Sequence, residues 1–324
     1  MQSHLIIILN EHRLFERAKY TIDPKTCVFH NDIDNETKWG YYNFVCKELK
    51  IKNKICRSHG IDSDGGRKMK FDGHQNEILI KDEIKDNFNI YYLKPILNDG
   101  EEIVNVISDG KNSKKVSSVL NKKTTSKTDL KIVLNTTKQI KLSIKKSKNG
   151  QVHLNKVSGF INGYEKIYSE IPKNVKDGLL LLFSGHKDIK NILNAQKGIS
   201  KVESDHQILS TQTLKQYNPQ IFDELFTWIS INIGNIVDIV FKTGWASDKN
   251  EWVDYILYKN NINDNVNFDN IFSVTELKKL CIENKHNISF GSTTIHLPFG
   301  HLQYHLGGLQ FHHNHEKISK LFGN

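Results

Sequence analysis

The stretch TDLKIVLNTTKQIKLSIKK, residues 128–146, sets an acid at the head of one strand-like run and a lysine near the end of the next. Asp129 opens the first run, and Ser143, Ile144 and Lys145 close the second. On a strand, residues i and i+2 share a face, so Ser143 and Lys145 point one way and Ile144 the other. An acid and a lysine converging from a hairpin are groups that phosphodiester hydrolysis can use. A carboxylate can hold Mg²⁺, which neutralises charge developing on phosphorus and lowers the pKa of bound water, and a lysine can orient that water. Asp129 is therefore a candidate metal ligand, with the Ile144 carbonyl as a second, and Ser143 and Lys145 as catalytic partners. The same spacing also arises in solvated hairpins of lysine-rich chains, so the wider sequence has to decide.

The elements around this hairpin read as a mixed sheet flanked by helices, hence α/β or α+β. LIIIL (5–9) is a buried strand, and ETKWGYYNFVCKELK (36–50) is an amphipathic helix with Trp39, Tyr42, Val45, Cys46 and Leu49 on one face. The glycine-rich CRSHGIDSDGGRKMKFDGHQ (56–75) reads as a loop, and NEILIKDEI and NIYYLKPIL as strands. A Lys/Ser/Thr-rich segment, 109–127, is a linker, a basic loop or a short helix around Val116 to Leu120, and marks a soft domain boundary. The organisation expected is an accessory, DNA-contacting region over 1–110 and a main domain over 111–324. HLNKVSGFINGYEKIYSEI (153–171) has helical spacing, and 217–244 reads as two helices broken near Gly234, with Pro219 at the start and Gly244 as the stop. EWVDYILYK is a strand. Ser273 and Glu276 make a capping box at a helix start. Three short strands close the chain around NISFGSTTIHL, HLQYH and LQFHH.

With 324 residues, 38% hydrophobic and 25% charged, the chain has the composition of a globular protein with a real core. No apolar run reaches the roughly 18–20 residues of a membrane span, so a cytoplasmic protein without membrane contact is expected. Four cysteines without an export signal fit free thiols in a reducing compartment. The net charge of +9 favours a polyanionic partner, because Lys and Arg contacts release counterions from phosphates. Abundant Lys, Asn and Ile are also what an AT-rich genome would supply.

The run SKTDLKIVL…IKLSIKKSKNGQVHLNKV resembles the catalytic hairpin of MspI-type restriction endonucleases, a branch of the PD-(D/E)xK nucleases. In that family Lys-Thr/Ser-Asp opens the first strand. The second carries Asn or Gln, an aliphatic residue and Lys, followed by a run rich in Ser and Lys. Lys127-Thr128-Asp129 and Ser143-Ile144-Lys145-Lys146-Ser147-Lys148 fit this order. NISFGSTTIHL…GGLQFHH is similar to the family's C-terminal hairpin, so the resemblance spans about 110–315, discontinuously. It implies a PD-(D/E)xK core with an extra N-terminal region and Mg²⁺-dependent cleavage of double-stranded DNA at a short palindrome with a central CG. It also implies a companion methyltransferase in bacteria or archaea, with a homodimer as one arrangement to expect. Two departures matter. Ser143 stands where the family has an amide, which leaves Asp129 as the hairpin's one strong carboxylate ligand, and a helix glutamate such as Glu36 or Glu48 could complete the site. His312 stands where the family reads a base with lysine. Candidate base-edge readers are Gln151, Lys156, His301, Gln303, Gln310 and His312.

Other constellations compete. Cys27-x-x-His30 and Cys56-x-x-His59 have the types for a structural Zn²⁺ site that would staple the N-terminal region or build a protein-interaction module. The tail holds His296, His301, His305, His312, His313 and His315, but alternate strand residues face opposite sides, so these cannot all converge on one metal. DSDGGRK (62–68) lacks the strand–GxxxxGK[ST]–helix context of a phosphate-binding loop. A non-catalytic DNA-binding protein that uses the hairpin structurally is the rival reading.

Overall fold

The computed structural model describes residues 22–23, 28–29, 61–108, 115–184, 208–262, 269–305 and 308–323. LIIIL at 5–9, the helix expected at 36–50 with Glu36 and Glu48, and Cys27, His30, Cys56 and His59 all lie outside the described residues. The chain divides into two compact units, Met1–Gln75 and Asn76–Asn324. In the first, β1 (Ile22–Asp23) pairs antiparallel with β2 (Val28–Phe29).

Helix α1 runs Ile61–Asp86, so the loop expected over 56–75 is corrected from Ile61 onward, residues 56–60 lying outside the described residues, and the strand expected at NEILIKDEI is corrected as well. Asn76, Ile80 and Ile84, four apart, are the buried positions, and a helix stacks that spacing on one face. NIYYLKPIL is not a strand either. It forms turns and a short 3₁₀ helix at Lys94–Ile96, with Pro95 in that first turn.

The second unit holds two five-stranded sheets. The first is built from β3 (Ile103–Ser108), β6 (Leu130–Leu134), β7 (Gln139–Lys145), β9 (Tyr255–Tyr258) and β10 (Asn270–Ser273), in the order β10–β9–β7–β6–β3. β7 and β9 are parallel and the other neighbours antiparallel, which makes a mixed sheet. The second sheet is antiparallel throughout. Its strands are β8 (Asn149–Lys156), β11 (Ser289–Phe290), β12 (Thr294–Leu297), β13 (Gly300–His305) and β14 (Gly308–Asn314), in the order β11–β12–β13–β14–β8. A small hairpin, β4 (Lys115–Ser117) with β5 (Lys123–Thr125), replaces the short helix weighed for Val116 to Leu120.

Alternation sorts the first sheet's side chains. Leu130, Ile132, Leu134, Ile140, Leu142, Ile144 and Leu257 pack with Ile80 and Ile84 of α1 in one core. Burying each of these aliphatic chains is worth about 1.5–3 kcal/mol. Ile256 and Tyr258 face a second, larger core shared with the helices and the other sheet.

Helices α2 (Val157–Ile167), α3 (Lys173–Phe183), α4 (Thr211–Tyr217), α5 (Pro219–Ile231), α6 (Ile233–Val237), α7 (Val274–Glu283) and α8 (His315–Leu321) complete the unit. Residues 153–156, read from sequence as helical, are instead the end of β8, because they pair with β14. The expected break in 217–244 is present. Asn218 caps α5 by accepting from the Ile221 N–H at 3.1 Å, α5 and the following helix meet at 67°, and Gly244 stops the run at φ 53°. The Ser273 cap also forms, its Oγ accepting from the Glu276 N–H at 3.3 Å. Among the described residues no single helix is long and apolar enough to cross a membrane. The bent pair passes that test only as a whole, and its Leu225, Ile229, Val237 and Phe241 are buried in the core.

Candidate active site and the polar face of the second sheet

β6 and β7 bring the acid and the lysine of the hairpin together. Leu130 pairs with Leu142, and the Asp129 N–H donates to the Leu142 carbonyl at 2.8 Å, which sets Asp129 across from Ser143. One carboxylate oxygen, Oδ2, accepts from the Ile144 N–H at 2.6 Å and from Ser143 Oγ at 3.2 Å. Lys145 Nζ donates to Ser143 Oγ at 2.7 Å and to the Ile144 carbonyl at 3.2 Å. Ser143 therefore links the lysine to the carboxylate, accepting from one and donating to the other. The Ile144 side chain goes to the opposite face, into the α1 core, while its carbonyl stays with the polar groups.

The approach to the strand is clamped. Thr128 is buried and donates to the Glu251 carbonyl at 3.1 Å, Ser126 Oγ donates to Glu251 Oε2 at 3.1 Å, and Lys131 pairs with Glu251 Oε1 at 3.0 Å. Glu251 was not among the residues singled out from sequence, since nothing local ties it to a hairpin more than a hundred residues away.

Lys127 is a second lysine at the site, two residues before Asp129 and so of the same parity. Its Nζ donates to the Val152 carbonyl at 2.7 Å. Removal from water, reinforced by the charge of Lys145 and opposed by Asp129, brings its ammonium down to about 7. Asp129 keeps some accessible surface, but protein packs densely around the carboxyl. That desolvation raises its pKa, against the pull of Lys145, the Ile144 N–H, Ser143 and Lys127. His313 is buried behind Lys145, shares a hydrogen bond with the Tyr258 hydroxyl at 2.8 Å, and is held at about 3 by burial first and then by Lys145, His312 and His315.

The second sheet has one apolar and one polar face. Ile295, Leu297, Leu302, Leu309 and Phe311 enter the core. On the other face, Gln303 pairs with Gln310 and His301 with His312. Gln303 Nε2 donates to Gln310 Oε1 at 3.0 Å and contacts His312 Nε2 at 3.1 Å, and Gln310 Nε2 donates to Gln151 Oε1 at 2.6 Å. The rings of His301 and His312 stack with centroids 4.5 Å apart. Five of the residues expected to meet base edges thus form one connected layer. Lys156, paired with Gly308 at the end of β8, is exposed and takes no part in that network. His312 and His313 face opposite sides, and no group of three or more His, Cys, Asp or Glu able to hold a metal occurs among the described residues.

No family model matches the chain, and none of the curated proteins matches it. Among solved structures it is similar to the restriction endonuclease MspI in complex with its cognate DNA. The TM-score is 0.46 at 13% identity, covering 86% of this chain and 97% of that one.

Proposed function

We propose that this chain is a type II site-specific deoxyribonuclease that hydrolyses double-stranded DNA with Mg²⁺. The observation that carries the reading is the Asp129–Ser143–Lys145 chain of hydrogen bonds on the strand pair β6–β7. A solvated hairpin has no cause to bring a carboxylate, a hydroxyl and an ammonium into one half-buried, hydrogen-bonded cluster. The donor set suits Mg²⁺, which is commonly held by one or two carboxylates with water and substrate phosphate oxygens completing its shell. Asp129 and the Ile144 carbonyl would hold it. The bound ion would supply charge neutralisation at phosphorus and a water of lowered pKa.

The chain's own groups do the rest. Ser143 fixes the Lys145 ammonium, whose third N–H has no partner among the described residues and is free to meet a phosphate oxygen or the attacking water. The Gln/His layer presents amide and imidazole groups, which suit base edges in a groove. The +9 charge supports a nucleic-acid partner. A short palindrome with a central CG is the site class expected, with a methyltransferase as functional companion.

Incubation of unmethylated DNA with Mg²⁺ and wild type, Asp129→Ala or Lys145→Ala protein tests the reading. Discrete fragments from wild type, with each variant slowed at least about a hundredfold, is the expected result. No cleavage by wild type on either unmethylated or CG-methylated DNA would replace it with a DNA-binding protein that does not cut.

A further inference from the structure

We infer that Lys127 is a positioning residue that couples the hydrolytic cluster to the base-facing sheet, by holding the β-bulge that aims Gln151. The inference deepens the nuclease reading and rests on it for its cleavage arm.

Strict alternation along β8 would put Gln151 and His153 on one face. They are on opposite faces. His153 is buried opposite Phe311, with its ring 5.6 Å from that of Trp245. Gln151 is exposed, opposite His312, and bonded to Gln310. The ladder runs Phe311 to His153 and then His312 to Gln151, so Val152 is an extra residue that faces no residue of β14. A bulge of this kind flips the parity of the residues beyond it and leaves a backbone group in need of a partner.

The Val152 carbonyl finds that partner in Lys127. The lysine stem reaches it across Gly244, where a Cβ would come within 3.2 Å of Lys127 Cε. The strand-entry segment 126–129 is itself fixed by Glu251, so the ammonium is delivered from an anchored backbone. Lys127 and Asp129 thus leave the same short segment, one to the bulge and one to Ser143 and Ile144. Displacing β8 would pull on Lys127 and, through two peptide units, on the carboxylate.

Lys127→Met, which keeps the stem and removes the donor, tests this alongside Gln151→Ala and the double variant. Replacing a partly buried ammonium with an apolar chain need not unfold a protein. Lys127→Arg keeps a long donor and should retain wild-type behaviour. Amide exchange without DNA is the first readout. Lys127→Met should lose at least about tenfold protection at Val152 and His153 and little elsewhere, and unchanged exchange there would overturn the inference. The second readout is kcat/KM at the site that wild type cuts, relative to sites with one base changed. Lys127→Met and Gln151→Ala should each reduce that ratio at least about tenfold, with the double variant no worse than either alone. Multiplying effects would break the link between the two residues. Wild type that cuts nothing would sink the nuclease reading, leaving the exchange result to decide Lys127 by itself.

Discussion

At the residue scale the site is a short chain of donors and acceptors whose members were partly legible from spacing alone. The i, i+2 rule was enough to put Ser143 and Lys145 on one face and Ile144 on the other, and the structure agrees. Lys127 was inside the recognised Lys-Thr-Asp run, yet its role depends on a carbonyl supplied by β8, which no local pattern encodes. His313 permits a prediction about acid stability. Its pKa in the folded protein is lowered, from the ordinary 6.5 to about 3, chiefly by burial. Between those values the unfolded chain binds a proton that the native one refuses, so its contribution is complete above pH 6.5 and lost as pH falls toward 3. Urea unfolding of wild type should therefore weaken by up to about 1.4 kcal/mol per pH unit in that window from this group alone. His313→Gln should show a shallower slope, and an unchanged slope would assign the acid sensitivity to other groups.

At the element scale, glycine positions separate places where the chain must come into contact from places with room for a side chain. A Cβ on Gly300 would lie 2.0 Å from the His312 carbonyl oxygen, a backbone atom that cannot swing away. Gly300→Ala should cost about 1–3 kcal/mol or more and loosen the Gln303–Gln310 pair with it. Gly159, in α2, would meet nothing within 4 Å, and Gly159→Ala should gain about 0.4–1 kcal/mol. Thermal melts of the two variants moving in opposite directions would bear this out. The elements that sequence reading misassigned were those with mixed local signals. Gly65, Gly66 and Gly73 suggested a loop and Ile78-Leu79-Ile80 a strand, but the four-residue spacing of Asn76, Ile80 and Ile84 against the sheet outweighed both. The α7 cap and the α5–α6 break were legible because a serine cap, an N-terminal proline and a terminal glycine act through their own backbone.

At the scale of the whole molecule, the charge surplus should dominate any affinity for DNA. Binding should weaken linearly on a log–log plot against salt, by a slope of about 0.9 per phosphate neutralised. Hairpin β4–β5 carries exposed Lys122 and Lys123 near its turn. Changing both to alanine should reduce the magnitude of that slope by about 1–2 while leaving sequence preference intact. Anisotropy titrations between about 50 and 200 mM salt would measure it, and a slope that does not change would take the hairpin out of the interface.

The two sheets of the second unit are joined between β7 and β8 by Lys146, Ser147 and Lys148 alone. Both ends of this connection are tied down: Asn260 Nδ2 donates to the Lys146 carbonyl at 3.0 Å and the His315 N–H to the Lys148 carbonyl at 2.7 Å. For a nuclease this is a covalent ruler. The step from the bond broken to the bases inspected is measured out by a fixed length of backbone, so lengthening 146–148 should move the cut along the duplex while the sequence read stays the same.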